Sequence, residues 1–342
     1  MMAGRNDPPF GDFEAGYPGG WSVKKSAENF FSCVREHPAM ANKSGHGTTI
    51  LIGSDKSQKS MAKSIIRYCP KDLGYSFIYV DLESENSERV GSAIDECAMF
   101  IFIYDSSMRA DISPHGPSFI HPLKPKMAEH WKKSVLLREY GEFFEEAFSE
   151  DINDISDRNG RIIDAATSAQ HVTFRDGFGG TLCGTLSGDQ AWKSLDGRNH
   201  YDLMPGEVAT RIVDLSGSVT FGGTFLSTVP FAIKYGVIDS IMKIKFDKSQ
   251  VIDVSSSNRQ LENDFKLYLK KCPGNKIVEE FGIGTNLNVK LHGRNASFEE
   301  RHPGLHLGLG GGERGSHHLD LVFSSGTILF DDVVIFDKSF RV

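Results

Sequence analysis

The chain has 342 residues and a formal net charge of −7, and its composition of 39% hydrophobic and 24% charged residues is typical of a globular protein with one large or two ordinary domains. An acidic chain without a run of lysine or arginine is not expected to bind nucleic acid, because phosphate binding requires a basic face. No apolar run is as long as a membrane span, and residues 1–20 lack the pattern of a signal peptide. The five cysteines form no C-x-x-C pair, which favours a reducing compartment. We therefore expect a cytoplasmic protein that does not bind membranes.

The first half of the chain alternates between strand and helix patterns. Residues 1–45 are predicted to be an N-terminal arm and lead-in. After them, short apolar runs at 48–52, 77–80, 99–104 and 135–137 alternate with helical spacings. Short strands of wholly apolar residues between helices are typical of a parallel sheet that is covered on both faces. The pattern predicts an α/β domain over residues 46–170.

The second half has a different character, with short strands separated by glycine-containing turns. Strands are predicted at 171–174, 181–186, 211–215, 218–221, 241–246 and 251–254. One helix is predicted after a capping box that begins at Ser257, and it ends at Cys272, which precedes a proline. We expect a strand-rich α+β domain over residues 171–342.

The sharpest local feature is His318-Leu-Asp320, just before an apolar run. On a strand, residues i and i+2 point to the same side, so an imidazole nitrogen and a carboxylate oxygen would converge as a divalent metal requires. The alternative for the isolated tripeptide is a surface histidine followed by an aspartate in a turn.

Three further segments of the second half carry histidine or glutamate beside glycine. His306 lies in a Gly-Leu-His-Leu-Gly run, Glu280 precedes a predicted Gly-x-Gly turn, and Glu207 follows a Pro-Gly pair. Glycine at such positions allows the backbone to turn tightly or to approach a site closely. Taken singly, each segment has an ordinary alternative: a half-buried histidine, a solvated acidic loop end and a surface glutamate.

Together, the order of these segments resembles the aminopeptidase T family of metallopeptidases. The resemblance covers most of the chain from about residue 150 and, more loosely, the α/β half. It implies that a pair of divalent ions, such as zinc, manganese or cobalt, is bound by five ligands: Glu207, Glu280, His306, His318 and Asp320. It also implies a small peptide substrate and a homodimer.

The sequence departs from this family at one position. The family has a tyrosine seven residues after the histidine that corresponds to His306, and this chain has Glu313 there. The chain is similar also to the 2,5-dihydroxypyridine dioxygenases, which bind one iron(II) through two histidines and one carboxylate. His318 and Asp320 match that set, whereas Glu280 stands in place of its other histidine.

The catalytic candidates are Glu300 and Glu313. Glu299 and Glu300 lie just before His306, where a carboxylate could orient a metal ligand or act as a general base, although a charged turn is the alternative. The favoured function is a metal-dependent hydrolase that acts on a peptide or amide bond. The alternatives are an iron(II)-dependent ring-cleaving dioxygenase and a peptide- or ligand-binding accessory protein without catalysis.

Overall fold

The computed structural model describes residues 22–41, 43, 47–106, 116–227 and 231–342. Most of the predicted arm, residues 1–21, lies outside the described residues. Within them, no helix combines the length and the apolar character that crossing a membrane requires.

The first half is built around a parallel sheet of four strands in the order β2-β1-β3-β4. Its strands are β1 (Thr49–Ser54), β2 (Ser76–Asp81), β3 (Met99–Tyr104) and β4 (Ser134–Arg138). Its helices are α1 (Val23–Glu36), α2 (Lys59–Arg67), α3 (Ser87–Glu96), α4 (Lys124–Glu129), α5 (Phe144–Phe148) and α6 (Ile152–Thr167).

Both faces of this sheet are covered. Alternate residues of β3 enter different cores: Ile101 joins the cluster that contains Phe30 of α1, and Phe102 joins the cluster that contains Val90 of α3. Every residue of β3 is therefore buried, as the wholly apolar sequence predicts.

The second half is dominated by an antiparallel sheet of 13 strands with the main order β17-β16-β15-β5-β6-β9-β14-β13-β12-β8-β7, and β10 joins it through β9 and pairs with β11. The strands are β5 (His171–Arg175), β6 (Thr181–Thr185), β7 (Lys193–Leu195), β8 (Glu207–Thr210), β9 (Ser216–Ser227), β10 (Ile238–Asp247), β11 (Gln250–Ser256), β12 (Val278–Gly284), β13 (Gly304–Leu309), β14 (Leu319–Phe323), β15 (Thr327–Phe330), β16 (Val333–Asp337) and β17 (Ser339–Phe340). Two helices, α7 (Phe231–Tyr235) and α8 (Arg259–Lys271), accompany them.

The predicted fold class, an α/β half followed by a strand-rich α+β half, is confirmed. Met204 and Phe298, which belong to the second predicted range, pack into the core of the first sheet. The boundaries of the predicted domains remain predictions.

The strand expected at 211–215 is wrong. There the side chain of Ser249 takes the place of a neighbouring strand: its hydroxyl donates to the carbonyl of Ile212 and accepts from the backbone N–H of Leu215. A residue distant in sequence satisfies these backbone groups, and the alternating pattern alone does not reveal that.

Candidate metal centre

Four neighbouring strands, in the order β14-β13-β12-β8, carry the predicted ligands. Glu207 begins β8, Glu280 lies within β12, His306 lies within β13, and Asp320 is the second residue of β14, with His318 just before that strand. Segments far apart in the sequence thus bring all five side chains to one region of the sheet. The Gly-x-Gly segment after Glu280 is part of strand β12, so the predicted turn at this position is wrong.

Glycines make room for these side chains across the sheet. Gly308 of β13 pairs with Glu280 on one side and with Asp320 on the other, so it separates two carboxylates in one cross-strand row. Gly282 of β12 pairs with His306, and a β-carbon built at Gly282 would lie 1.9 Å from Nε2 of that histidine. Any larger residue at these two positions would fill the space into which the ligand atoms point.

The five side chains form two groups of three that share Glu280: Glu207, Glu280 and His306 in one, and Glu280, His318 and Asp320 in the other. Within each group the possible ligand atoms all lie within 4.8 Å of one another. Mixed carboxylate and imidazole ligands suit zinc, manganese, cobalt or iron, and a shared carboxylate can bridge two ions. These residues therefore fit a divalent metal, and Glu280 is the one of the five that belongs to both groups.

The two histidines are held differently. The Nδ1 atom of His318 lies 3.3 Å from the carbonyl oxygen of Gly310, and its Nε2 atom lies 2.8 Å from Oδ1 of Asp320. Because a carbonyl only accepts, Nδ1 is the donor in the first contact, which directs Nε2 toward the carboxylates. The Nε2 atom of His306 lies 3.1 Å from Oε1 of Glu207 and 3.5 Å from Oε1 of Glu280, whereas its buried Nδ1 has no hydrogen-bond partner among the described residues.

The electrostatics of the site favour a cation. The close contact with the carboxylate of Asp320 raises the pKa of His318 to about 9. Burial opposes the charged form of His306, but the hydrogen bonds with Glu207 and Glu280 outweigh it and raise the pKa of His306 well above its ordinary value. Burial likewise opposes ionisation of Glu280, but the hydrogen bond with His306 leads a set of interactions that lower the pKa of Glu280 to about 2. Clustered carboxylates of this kind attract positive charge, which a metal ion can supply in place of these protons.

Arg301 is the largest charged side chain in the site, and it is not among the residues predicted from the sequence. It lies at the end of the 3₁₀ turn Ser297–Arg301 and is 1% exposed. Its Nη1 atom donates to Oε2 of Glu207 and, at 2.6 Å, to Oε1 of Glu300, and its Nη2 atom donates to Oδ2 of Asp202 at 2.7 Å. The only signal for it in the sequence is a single arginine after an acidic pair.

The two catalytic candidates lie in different surroundings. Glu300 is half-buried beside Arg301, and burial together with the charges of Glu207 and Asp320 raises its pKa to about 8 against the opposing effect of that arginine. Glu313 is exposed on the connection between β13 and β14, where its side chain lies against Gly274. The structure therefore brings Glu300, and not Glu313, to the two ligand groups.

Glu299 anchors the loop that precedes Glu300. It is fully buried, and its carboxylate accepts hydrogen bonds from four backbone N–H groups, those of His292, Gly293, Arg294 and Ala296. These bonds give it a structural role in the loop.

A third cluster of possible ligands, Asp95, Glu129 and His130, lies on the surface of the α/β half. The ammonium group of Lys126 lies 2.8 Å from Asp95 and 3.4 Å from Glu129. Lys126 already supplies a positive charge to these carboxylates. The cluster is therefore explained as a network of surface ion pairs.

Comparison with known proteins supports the fold. No protein-family model matches the chain, and no curated protein matches it. Among solved structures, 2,5-dihydroxypyridine dioxygenase from Pseudomonas putida is similar over 92% of this chain and 96% of its own, with a TM-score of 0.59 and 12% identity. Wild-type AmpT from Thermus thermophilus is similar over 94% of this chain and 99% of its own, with a TM-score of 0.57 and 14% identity.

The chain shares the fold of both proteins. At these identities the likeness shows the architecture alone, and it extends over nearly the whole chain, including the α/β half. The predicted structural relationship to both groups is thus confirmed. The activity, the metal and the roles of the five side chains are matters for proposal.

Proposed function

We propose that the protein is a metal-dependent hydrolase that cleaves a peptide or amide bond in a small substrate. The observation that supports this proposal best is the pair of ligand groups that share Glu280, with Glu300 beside them. A divalent ion held by these residues supplies Lewis-acid polarisation of a substrate carbonyl. The homodimer implied by the resemblance and the cytoplasmic location stay predictions.

In this proposal, Glu300 is the general base. Its carboxyl group is close enough to Glu207, Asp320 and His306 for their charges to affect its pKa. A carboxylate with a pKa near neutrality can take a proton from water and return it to a leaving amine at physiological pH. The hydrogen bond from Arg301 orients the carboxylate, since guanidinium and carboxylate groups form directional pairs.

The proposal is tested by combining metal analysis with an activity screen on the purified protein. Hydrolysis of a panel of dipeptide and aminoacyl amides should depend on added zinc, manganese or cobalt and should be lost on chelation. Glu300→Gln should abolish hydrolysis and keep metal binding, because the amide cannot act as a base. Glu96→Gln, which changes an exposed residue of α3, should leave both properties unchanged.

The same experiment compares the two catalytic candidates. Glu313→Gln should leave hydrolysis intact if Glu300 is the base, because Glu313 is exposed and lies against Gly274. Loss of activity in Glu313→Gln, with full activity in Glu300→Gln, would reverse the assignment. A protein that binds no divalent metal would contradict the hydrolase altogether and favour the binding protein without catalysis.

An iron(II)-dependent ring-cleaving dioxygenase is the second candidate. One observation favours it: the group of Glu280, His318 and Asp320 includes the half-exposed His318, so a small substrate has access to it. Iron-dependent oxygen uptake with a dihydroxypyridine or a catechol, lost in His318→Ala, would support this function over hydrolysis. The absence of oxygen uptake across such a panel would contradict it.

A further inference from the structure

The two ligand groups differ in their access to solvent. In the group with Glu207 and His306, the side chains of these residues are 3% and 0% exposed. In the group with His318 and Asp320, the histidine side chain is 43% exposed and the aspartate side chain is 2% exposed. The side chain of Glu280, which both groups share, is 30% exposed, so the difference in access lies at the two histidines. An ion beside His318 can keep water or substrate as additional ligands, whereas an ion beside Glu207 and His306 would be enclosed by protein on that side. The group of Glu207, Glu280 and His306 is therefore called the enclosed group, and the group of Glu280, His318 and Asp320 the exposed group.

Arg301 already supplies a positive charge to the enclosed group. Its guanidinium contacts Oε2 of Glu207, while Oε1 of the same carboxylate faces His306 at 3.1 Å. Both oxygens of Glu207 are therefore engaged. A divalent ion in this group would be repelled by a buried guanidinium whose charge is not removed at any ordinary pH.

The two histidines also differ in whether the second ring nitrogen has a hydrogen-bond partner, and this difference again favours an ion beside His318. Histidines that bind metals usually donate their second ring N–H to a carbonyl or carboxylate, which fixes the ring. His318 has such a partner in the carbonyl of Gly310. His306 has none among the described residues, since its Nδ1 atom is buried without a hydrogen bond.

From these three differences we infer that Arg301 is the permanent cation of the enclosed group, so that one divalent ion binds tightly at Glu280, His318 and Asp320, and a second ion binds weakly or not at all beside Glu207. This inference rests on the proposed metal function. It makes Arg301 a positioning residue, which holds Glu207 and Glu300 by their carboxylates and determines how many ions the centre contains.

Titration with Mn²⁺, followed by calorimetry and by the electron paramagnetic resonance of the free ion, tests the inference directly. The metal-free wild type should bind one Mn²⁺ tightly per chain, with any second ion at least about tenfold weaker because of the guanidinium. Asp320→Asn should lose the tight ion. Glu207→Gln should leave its affinity unchanged, because Glu207 belongs only to the enclosed group.

Arg301 itself is tested by two substitutions. Arg301→Met removes the cation and should tighten the second ion by about tenfold or more, whereas Arg301→Lys keeps the charge and should leave the second ion weak. If Arg301→Met does not fold, the comparison of Glu207→Gln with Asp320→Asn still decides the question.

The outcomes separate the two proposals. Two ions of equal affinity in the wild type, or loss of the tight ion in Glu207→Gln, would overturn the inference and leave the metal function standing. No Mn²⁺ bound at any concentration, with zinc and cobalt also unbound, would overturn the metal function and this inference together.

Discussion

Gly308 lies against the imidazole of His318, so closely that a β-carbon built at Gly308 would be 2.8 Å from Cε1 of that ring. The same β-carbon would be 3.1 Å from Oδ1 of Asp320 and 3.0 Å from the β-carbon of Glu280. One glycine therefore provides the space for all three side chains of the exposed group, Glu280, His318 and Asp320. The requirement is steric, because Gly308 does not have the positive φ angle that would favour glycine for conformational reasons.

Gly308→Ala should weaken divalent metal binding while the fold persists. The added methyl group displaces the ligand atoms, so we expect a loss of roughly 10- to 100-fold in metal affinity, the range for mutations of residues that orient metal ligands. The cost in the free energy of unfolding is about 1–3 kcal/mol, the range for overpacking by one methyl group. Calorimetric titration with Mn²⁺ and a urea denaturation curve measure the two effects separately.

Gly160→Ala is the matched control, because a β-carbon at this position in α6 would contact nothing within 4 Å. It should leave the metal affinity unchanged and stabilise the helix slightly, by up to about 1 kcal/mol. Equal metal affinity in Gly308→Ala and Gly160→Ala would show that the exposed group is not the metal site.

The types and order of the ligand residues could be predicted from the sequence, but their supporting contacts could not. His318 and Asp320 are two residues apart, so strand periodicity alone predicts that their side chains converge. Arg301 reaches Glu207 across 94 positions of the chain, and no local pattern contains that pairing. Gly282 illustrates the same limit, since a glycine that accommodates a neighbouring strand's histidine looks in sequence like a glycine of a turn.

Glu299→Gln should destabilise the protein without changing metal stoichiometry. The buried carboxylate accepts four backbone N–H bonds between His292 and Ala296, and an amide would direct its own N–H₂ group at some of those donors. Charged hydrogen bonds in buried surroundings support an expected loss of about 3 kcal/mol in the free energy of unfolding.

Urea denaturation measures this loss, and Glu96→Gln serves as the exposed control, with an expected change within about 0.5 kcal/mol. Unfolding free energies that agree for the two variants would contradict the anchoring role of Glu299. A change in the number of bound Mn²⁺ ions in Glu299→Gln would place this residue in the metal centre instead.

His37 gives a pH dependence that is independent of the metal site. It caps the C-terminus of α1, its side chain is fully buried, and its Nδ1 atom accepts the backbone N–H of Ala39 at 3.0 Å. Burial lowers the pKa of His37 from 6.5 to about 4. The unfolded chain therefore binds a proton between these two values that the folded chain does not bind.

The stability that neutral His37 contributes is thus fully present above pH 6.5 and is lost as the pH falls through 4. His37→Asn, which keeps an acceptor but does not titrate, should give a shallower decline of the unfolding free energy between pH 6.5 and pH 4 than the wild type does. Urea denaturation at half-unit pH intervals measures that slope, with His171→Asn as a control at an exposed position of β5. Because acidic groups elsewhere titrate alike in all three proteins, the difference between slopes isolates His37. Parallel curves for His37→Asn and the wild type would show that the buried imidazole is protonated as readily in the folded chain as in the unfolded one.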